Sequence, residues 1–329
     1  MTAWKNSCNV LKRGWVAAFF CGSGFVQASQ FIEPVQPLQP AAGLQPGIVA
    51  LGEKLFHDPR LSADNTVSCA HCHKLGLGGS DNMQVSVGIR GQLGNINAPT
   101  VYNLNSHISF FWDGRASTLE SLVGSPLSNP VEMGSNWSQV IEKLKKDKTL
   151  IAAFAECFPD ESMNSRTISR VLADFMRSLV TLDSPVDRWL KGEKGALTKQ
   201  QLRGYGLFKS YGCIACHQGQ AVGGNMYATM GVMGDYFKHR HIPESEVDKG
   251  RFNVTGREDD LHVFKVPSLR LTAWTAPYFH DGSAATLEEA IAAMGRYQLG
   301  RDIPSRDIQD IKAFLLGLSG KHPLLKVHE

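Results

Sequence analysis

Two copies of Cys-x-x-Cys-His constrain this chain more than any other feature: Cys69-Ala70-His71-Cys72-His73 and Cys213-Ile214-Ala215-Cys216-His217. A segment with this motif folds around a covalently attached c-type haem. The two thiols add across the haem vinyl groups, and the histidine that follows faces the iron as its proximal ligand. A structural zinc knuckle and a thioredoxin-like redox pair also use closely spaced cysteines. Zinc needs four convergent ligands, however, and a redox pair has no need of histidine at the next position in both copies. With only 7 Cys and 11 His in the chain, two such matches are no accident of composition. The expectation is one haem on Cys69, Cys72 and His73 and another on Cys213, Cys216 and His217.

The first residues agree with that chemistry. Lys5, Lys12 and Arg13 lead into an apolar run from Gly14 to Phe25, and Val26-Gln27-Ala28 follows as a small-residue cleavage site. The pattern predicts a secretory signal over residues 1–28. An uncleaved anchor is the competing reading, disfavoured because Gly and Ser interrupt the run. Cys21 lacks the surroundings of a lipoprotein box. Bacterial c-type haem is attached after export, so signal and motifs point to the periplasm. Removing residues 1–28 takes away three basic side chains and no acidic one, leaving 31 of each. That balance gives no footing for nucleic acid, and no stable membrane insertion is expected after cleavage. Cys157 then stands as the one cysteine outside the motifs, a small apolar residue without a disulfide partner.

A mature chain of about 300 residues suggests two domains. An internal repeat draws the boundary. Leu51-Gly52-Glu53-Lys54-Leu55-Phe56 precedes the first motif as Leu202-Arg203-Gly204-Tyr205-Gly206-Leu207-Phe208 precedes the second. Pro99-Thr100-Val101 matches Pro267-Ser268-Leu269, and Phe111-Trp112-Asp113-Gly114 through Leu119-Glu120 matches Phe279-His280-Asp281-Gly282 through Leu287-Glu288, both at a separation of 168 residues. Constant spacing over two blocks marks a duplicated unit. The expected fold is mainly α: two duplicated c-type cytochrome domains with long loops and one covalent haem each, over residues 29–185 and 186–329.

Helical periodicity supports this. Val140, Ile141 and Leu144, then Leu150, Ile151 and Phe154, form apolar stripes, and Ile168 through Leu179 forms the clearest amphipathic helix. Thr198 with Gln201 reads as a capping box. Ile308 through Leu318 reads as a last helix stopped by Gly320 and Pro323. Ser184-Pro185 reads as the linker between halves. Residues 219–263 carry no clean period, so haem rather than protein core is expected to organise that stretch.

The repeat also compares the two irons. A second axial ligand such as Met makes an electron carrier, whereas an open position admits a small oxidant. Met294 lies six residues after Glu288, but the residue six after Glu120 is Pro126, which has no donor. Met294 is therefore the expected ligand of the second haem, with Tyr297 as the nearby alternative and a core role as the competing reading. The first haem is expected to be open.

Leu55-Phe56-His57-Asp58-Pro59-Arg60-Leu61-Ser62, Phe111-Trp112-Asp113-Gly114-Arg115-Ala116, Val131-Glu132-Met133, Asp248-Lys249-Gly250-Arg251-Phe252, Thr275-Ala276-Pro277-Tyr278-Phe279-His280 and Ala293-Met294-Gly295 together carry a resemblance. The chain resembles the bacterial di-haem cytochrome c peroxidase superfamily, which includes the MauG and MbnH enzymes, from Gly52 to Gly320. The resemblance implies that Met294 ligates the high-potential haem and that Glu132 is the acid/base carboxylate over the peroxidatic haem. It implies that Trp112 lies between the haems on the electron path. It further implies a calcium ion at the domain junction, held by Asn97 and by the carbonyl oxygens of Thr275 and Pro277. Taken alone, a loop glutamate is more often a solvated charge, and a tryptophan more often core.

Two positions depart from the peroxidases. Many carry a histidine where Ile89 stands, which ligates the first iron until the other haem is reduced, and a glutamine where Leu122 stands. The expected activity is oxidation of a protein donor by hydrogen peroxide. That donor is a small redox protein (a cytochrome c or cupredoxin), giving a detoxifying peroxidase, or a secreted substrate protein whose residues are oxidised, as with MauG and MbnH. Ile89 and Leu122 tilt the sequence reading toward the second. A di-haem electron carrier without catalysis is the alternative from another class.

Overall fold

A computed structural model describes residues 33–240 and 242–326, so the signal segment 1–28 lies outside the described residues. The described chain is mainly helical. Its α-helices run in order α1 (Pro46–Phe56), α2 (Cys69–Cys72), α3 (Leu119–Ser128), α4 (Trp137–Leu144), α5 (Lys148–Cys157), α6 (Ser165–Ser178), α7 (Pro185–Leu190), α8 (Lys199–Ser210), α9 (Tyr236–His239), α10 (Phe252–Thr255), α11 (Leu287–Ala293) and α12 (Ser305–Leu316). Short 3-10 turns and loops join them. One small antiparallel pair, β1 (Tyr227–Thr229) and β2 (Val263–Lys265), sets Tyr227 opposite Lys265. Among the described residues no helix is long and apolar enough to cross a membrane.

Local signals explain the main helices. α6 starts where the Asn164 side chain accepts from Thr167 N–H and Thr167 answers with its hydroxyl, and it buries Ile168, Val171, Leu172, Phe175 and Met176 on one face. Thr198 and Gln201 form the expected capping box at the start of α8. α12 ends at Leu316, earlier than the apolar pattern, because the chain turns back to pair Lys321 with Leu182.

Two helix crossings build the frame. α1 crosses α6 at Gly52, where an added Cβ would lie 2.0 Å from the Val171 carbonyl oxygen; α8 crosses α12 at Gly204, where it would lie 1.8 Å from that of Asp310. Only glycine permits backbones so close. Around the first crossing lies a core that includes Leu55, Phe56, Ile168, Leu172 and Phe175. Around the second lies one that includes Phe208, Ile311, Phe314 and Leu315. A third cluster joins Tyr236 and Phe237, within 219–263, to Phe264 just after it, so that stretch packs on a protein core of its own. The sequence missed it because its aromatics come from a four-residue helix and a three-residue strand, too short to show a repeating period.

Ser184-Pro185 is no exposed linker. Ser184 caps α7, with Pro185 as the first helical residue, where its missing N–H costs nothing. Asp187 in that first turn meets the Arg270 guanidinium at 2.9 Å, both side chains fully buried. A Ser-Pro pair is ambiguous between loop and helix start, and the buried ion pair decides for the helix.

Backbone features recur at the separation of the sequence repeat. Phe110 bridges Ala116 as Tyr278 bridges Ala284. Phe111 and Phe279 both take positive φ, at 66° and 70°. Thr118 and Thr286 each cap the helix that follows.

Candidate functional site

Each Cys-x-x-Cys-His stretch coils into one helical turn. His73 N–H donates to the Cys69 carbonyl at 3.0 Å, and His217 N–H to that of Cys213 at 2.9 Å. The two imidazoles are anchored alike: His73 Nδ1 lies 3.1 Å from the Gly79 carbonyl, and His217 Nδ1 lies 3.3 Å from that of Val222. A proton on Nδ1 satisfies that contact and leaves the Nε2 lone pair for a metal. Burial lowers both imidazoles, His217 to about 4, so they are neutral and fit to ligate.

The thiols are not poised as thiolates. Burial pushes Cys69 up to about 12 and Cys72 and Cys213 up to about 11. A nucleophilic redox pair carries a thiol shifted the other way. Among the described residues, the group of side chains converging as metal ligands is Asp248, His280 and Asp281, which includes no cysteine. Beside the first motif, Trp274 lies against Gly78, and its buried indole N–H has no partner. Buried neutral thiols, an imidazole held by Nδ1 and an orphaned donor fit a thioether-linked haem.

Over the first motif stands Glu132. It lies close enough to Cys72, along with Asp81, for its charge to raise that thiol. Its Oε1 accepts from Asn129 Nδ2 at 2.6 Å. Burial raises the Glu132 carboxyl above the ordinary glutamate value, while Asn129 and the Arg115 charge oppose the rise. Arg115 rests on the Phe111 ring at 3.6 Å and pairs with Asp113 at 2.9 Å. Sequence reasoning did not single out Asn129 or Arg115; Asn129, three residues before Glu132, was the available signal.

Ile89 is 1% exposed. Its N–H donates to the Glu132 carbonyl at 3.0 Å. Gly88 docks so tightly that a Cβ there would come within 1.9 Å of the Val131 carbonyl oxygen. The Ile89 side chain turns toward Gly134 in the first core, so the loop is packed onto the Glu132 turn. Leu122 is partly buried on the same core, and Pro126 lies inside α3.

In the second half α11 ends at Ala293, and a π-turn, Met294–Gln298, takes over. Such turns re-aim side chains and cluster at functional sites. Met294 is half-buried. Tyr297 is engaged elsewhere, edge-on to Tyr236 at 5.6 Å.

Trp112 joins the halves. Its indole N–H donates to the Asn97 carbonyl at 3.0 Å, its edge meets His280 at 6.3 Å, and its carbonyl accepts from Lys265 N–H at 2.8 Å. His280 in turn sits 2.6 Å from Asp248, which shares Arg240 with Asp281. Burial opposes ionisation of Asp248, but His280 and Arg240 outweigh it and hold the carboxyl far below its ordinary value. The guanidinium thus fills the Asp248–His280–Asp281 group. Asn97 N–H donates to the His280 carbonyl at 2.7 Å, and Asn82 Nδ2 to that of Trp274 at 2.9 Å. The segment bearing Thr275 and Pro277 is thereby tied to the segment bearing Asn97.

A family model described as di-haem cytochrome c peroxidase matches residues 46–195. The cytochrome c551 peroxidase of Nitrosomonas europaea is 44% identical over 84% of this chain and 81% of that protein. The chain belongs to the di-haem cytochrome c peroxidase family. A cytochrome c peroxidase of Escherichia coli K12 is 47% identical over 83% of the chain, which spans 58% of that longer relative. A solved MauG-like protein associated with microbial copper homeostasis superposes with a TM-score of 0.74 and 28% identity, covering 90% of this chain and 95% of that one. Membership implies two c-type haems and places the chain among hydrogen-peroxide-dependent haem oxidoreductases.

Proposed function

We propose that this chain is a periplasmic peroxidase that reduces hydrogen peroxide at the Cys69–His73 haem and draws electrons through the Cys213–His217 haem from a small redox protein. The observation that carries this is Glu132, a partly buried carboxyl beside Cys72, fixed by Asn129 at 2.6 Å. No side chain able to ligate iron stands at Ile89 or Pro126 to close the same face. Held there by Cys69, Cys72 and His73, haem would supply a redox-active iron.

The chain's own residues manage the protons. Reducing peroxide to two waters consumes two electrons and two protons, and the departing oxygen must be protonated as the O–O bond breaks. Glu132, its proton affinity raised by burial, takes a proton from one peroxide oxygen and returns it to the other. Asn129 holds Oε1 and leaves Oε2 for that proton. Trp112, bonded to Asn97 and touching His280, lies on the electron path. Met294 would ligate the second iron, a thioether suited to a higher-potential electron-transfer haem. Residues 29–185 form the peroxidatic domain and 186–329 its duplicated electron-transfer counterpart, supported by turns that recur at one spacing. Asn97 and the Thr275 and Pro277 carbonyls offer the oxygen ligands that a calcium ion takes.

A second reading, peroxide-driven oxidation of residues in a secreted partner, is favoured by the burial of Ile89, which leaves no histidine to switch on reduction. The first has more support, because the relatives at 47% and 44% identity are named cytochrome c peroxidases. Mixing the purified holoprotein with peroxide and a reduced cytochrome c or cupredoxin separates them. The first reading expects two donor molecules oxidised per peroxide at catalytic rates. The second expects that donor to stay reduced while a Trp or Tyr of a co-secreted protein gains mass. An electron carrier without catalysis leaves peroxide unconsumed.

A further inference from the structure

Two groups at the junction are buried without a partner in the protein. Lys265, the last residue of β2, is 8% exposed. No carboxylate among the described residues pairs with it, and burial alone lowers its ammonium to about 8. His107 lies close enough to feel that charge. Both of its ring nitrogens are buried, and neither meets a hydrogen-bond partner. A buried ammonium without a counter-charge is unfavourable, and so is a buried imidazole without a bond.

These groups belong to the wall around His217. The His107 ring lies against Gly224, where a Cβ would come within 2.4 Å of it. Ile108 N–H donates to the Gly224 carbonyl at 2.9 Å, and Gly224 N–H to that of Val266 at 2.8 Å. At the next position, a Cβ on Gly223 would stand 2.1 Å from the Pro267 oxygen and 3.3 Å from His217 Nδ1. Lys265 to Pro267, Gly223 to Gly224 and His107 thus form one continuous surface beside the second histidine. A haem joined through its vinyl groups to Cys213 and Cys216 carries its two propionates on the opposite edge. A carboxylate satisfies an ammonium and an imidazole N–H at once.

We infer that Lys265 and His107 anchor a propionate of the second haem, Lys265 by its charge and His107 by a ring N–H. This rests on the reading of Cys213, Cys216 and His217 as a haem site. Both are positioning residues, and they act on that haem's reduction potential. A cation beside the propionate offsets negative charge that otherwise favours the ferric state, so losing it lowers the potential.

Redox titration of the holoprotein, following each haem by its own spectrum, tests the anchor, together with the propionate bending band in resonance Raman spectra. Lys265→Met should keep two haems by pyridine haemochrome, lower the potential of the low-spin haem, shift its propionate band and spare the other haem. Lys265→Arg should keep the parent potential. His107→Phe, which preserves stacking on Phe110, should lower the potential by less and shift the same band. Parent values in Lys265→Met, or equal falls at both haems, overturn the anchor. If Lys265→Met does not fold, an unchanged band in His107→Phe overturns it. A parent band that responds to acetate or chloride places a diffusible anion there and also overturns it. A parent with a single haem would instead defeat the haem reading itself.

Discussion

Around His73 and around His217 the chain builds the same support for the imidazole and two different helix endings. Both imidazoles present Nδ1 to a carbonyl, and both halves cross their long helices at a glycine. Both start a Thr-capped helix at positions separated by the repeat. The endings then part. α3 runs through Pro126 to Ser128, and the turn after it brings Glu132 over Cys72, whereas α11 stops at Ala293 and a π-turn presents Met294. Trp112 and His280 also occupy matching positions, and they meet each other at 6.3 Å across the junction. The two stretches share one backbone frame and differ in how the Thr-capped helix ends.

The widest test of that contrast is spectroscopic. The oxidised holoprotein should show one high-spin and one low-spin haem by electron paramagnetic resonance, and Met294→Ala should abolish the low-spin signal alone. Two low-spin signals in the parent would erase the difference between the halves. Next in size, Glu132→Gln should keep both haems and their spin states yet slow the reaction with peroxide by about 10²–10⁴-fold. Stopped-flow spectra measure this, and a variant as fast as the parent would return the proton to water.

The third test concerns the junction. The folded Asp248 carboxyl is held far below its ordinary value of 3.8, by His280 and Arg240 against the cost of burial. Its contribution is complete above that ordinary value and is lost as pH falls below it toward the folded value. Asp248→Asn should cost about 3–5 kcal/mol near neutrality, as for a broken buried pair. It should also flatten the acid limb of a denaturant-midpoint series. An unchanged limb would mean that other carboxylates govern it. The smallest expected effect sharpens the likeness of the halves: Gly52→Ala and Gly204→Ala should each destabilise by about 1–3 kcal/mol, as overpacking does. Calorimetry showing only one of them to matter would break the symmetry of the two crossings.

Local signals were legible where the chemistry was local. Thr198 and Gln201 cap α8 as their spacing indicated, and the apolar stripe from Ile168 lies on the buried face of α6. That Ser184-Pro185 starts a helix was not legible, because it depends on Asp187 meeting Arg270, far away in sequence. The cluster of Tyr236, Phe237 and Phe264 escaped because its elements are too short to show a period. At the candidate site, Glu132 and Trp112 could be named from motif likeness, but the residues that hold them could not. Asn129 is local to Glu132, but His280 and Asp248 acquire partners only when loops with no periodicity are brought together.

The sequence by itself determined that two Cys-x-x-Cys-His stretches exist, that flanking blocks recur 168 residues apart, and that Met294 corresponds to Pro126 at that spacing. Each follows from covalent identity and spacing, which folding does not alter. Tertiary structure alone decided that Ile89 is packed beneath the Glu132 turn, that Arg240 fills the Asp248–His280–Asp281 group, and that Lys265 is buried without a counter-charge near a His107 whose ring nitrogens meet no partner. Burial, orientation and the presence or lack of a counter-charge depend on residues brought from distant parts of the chain, and no local pattern encodes those neighbours.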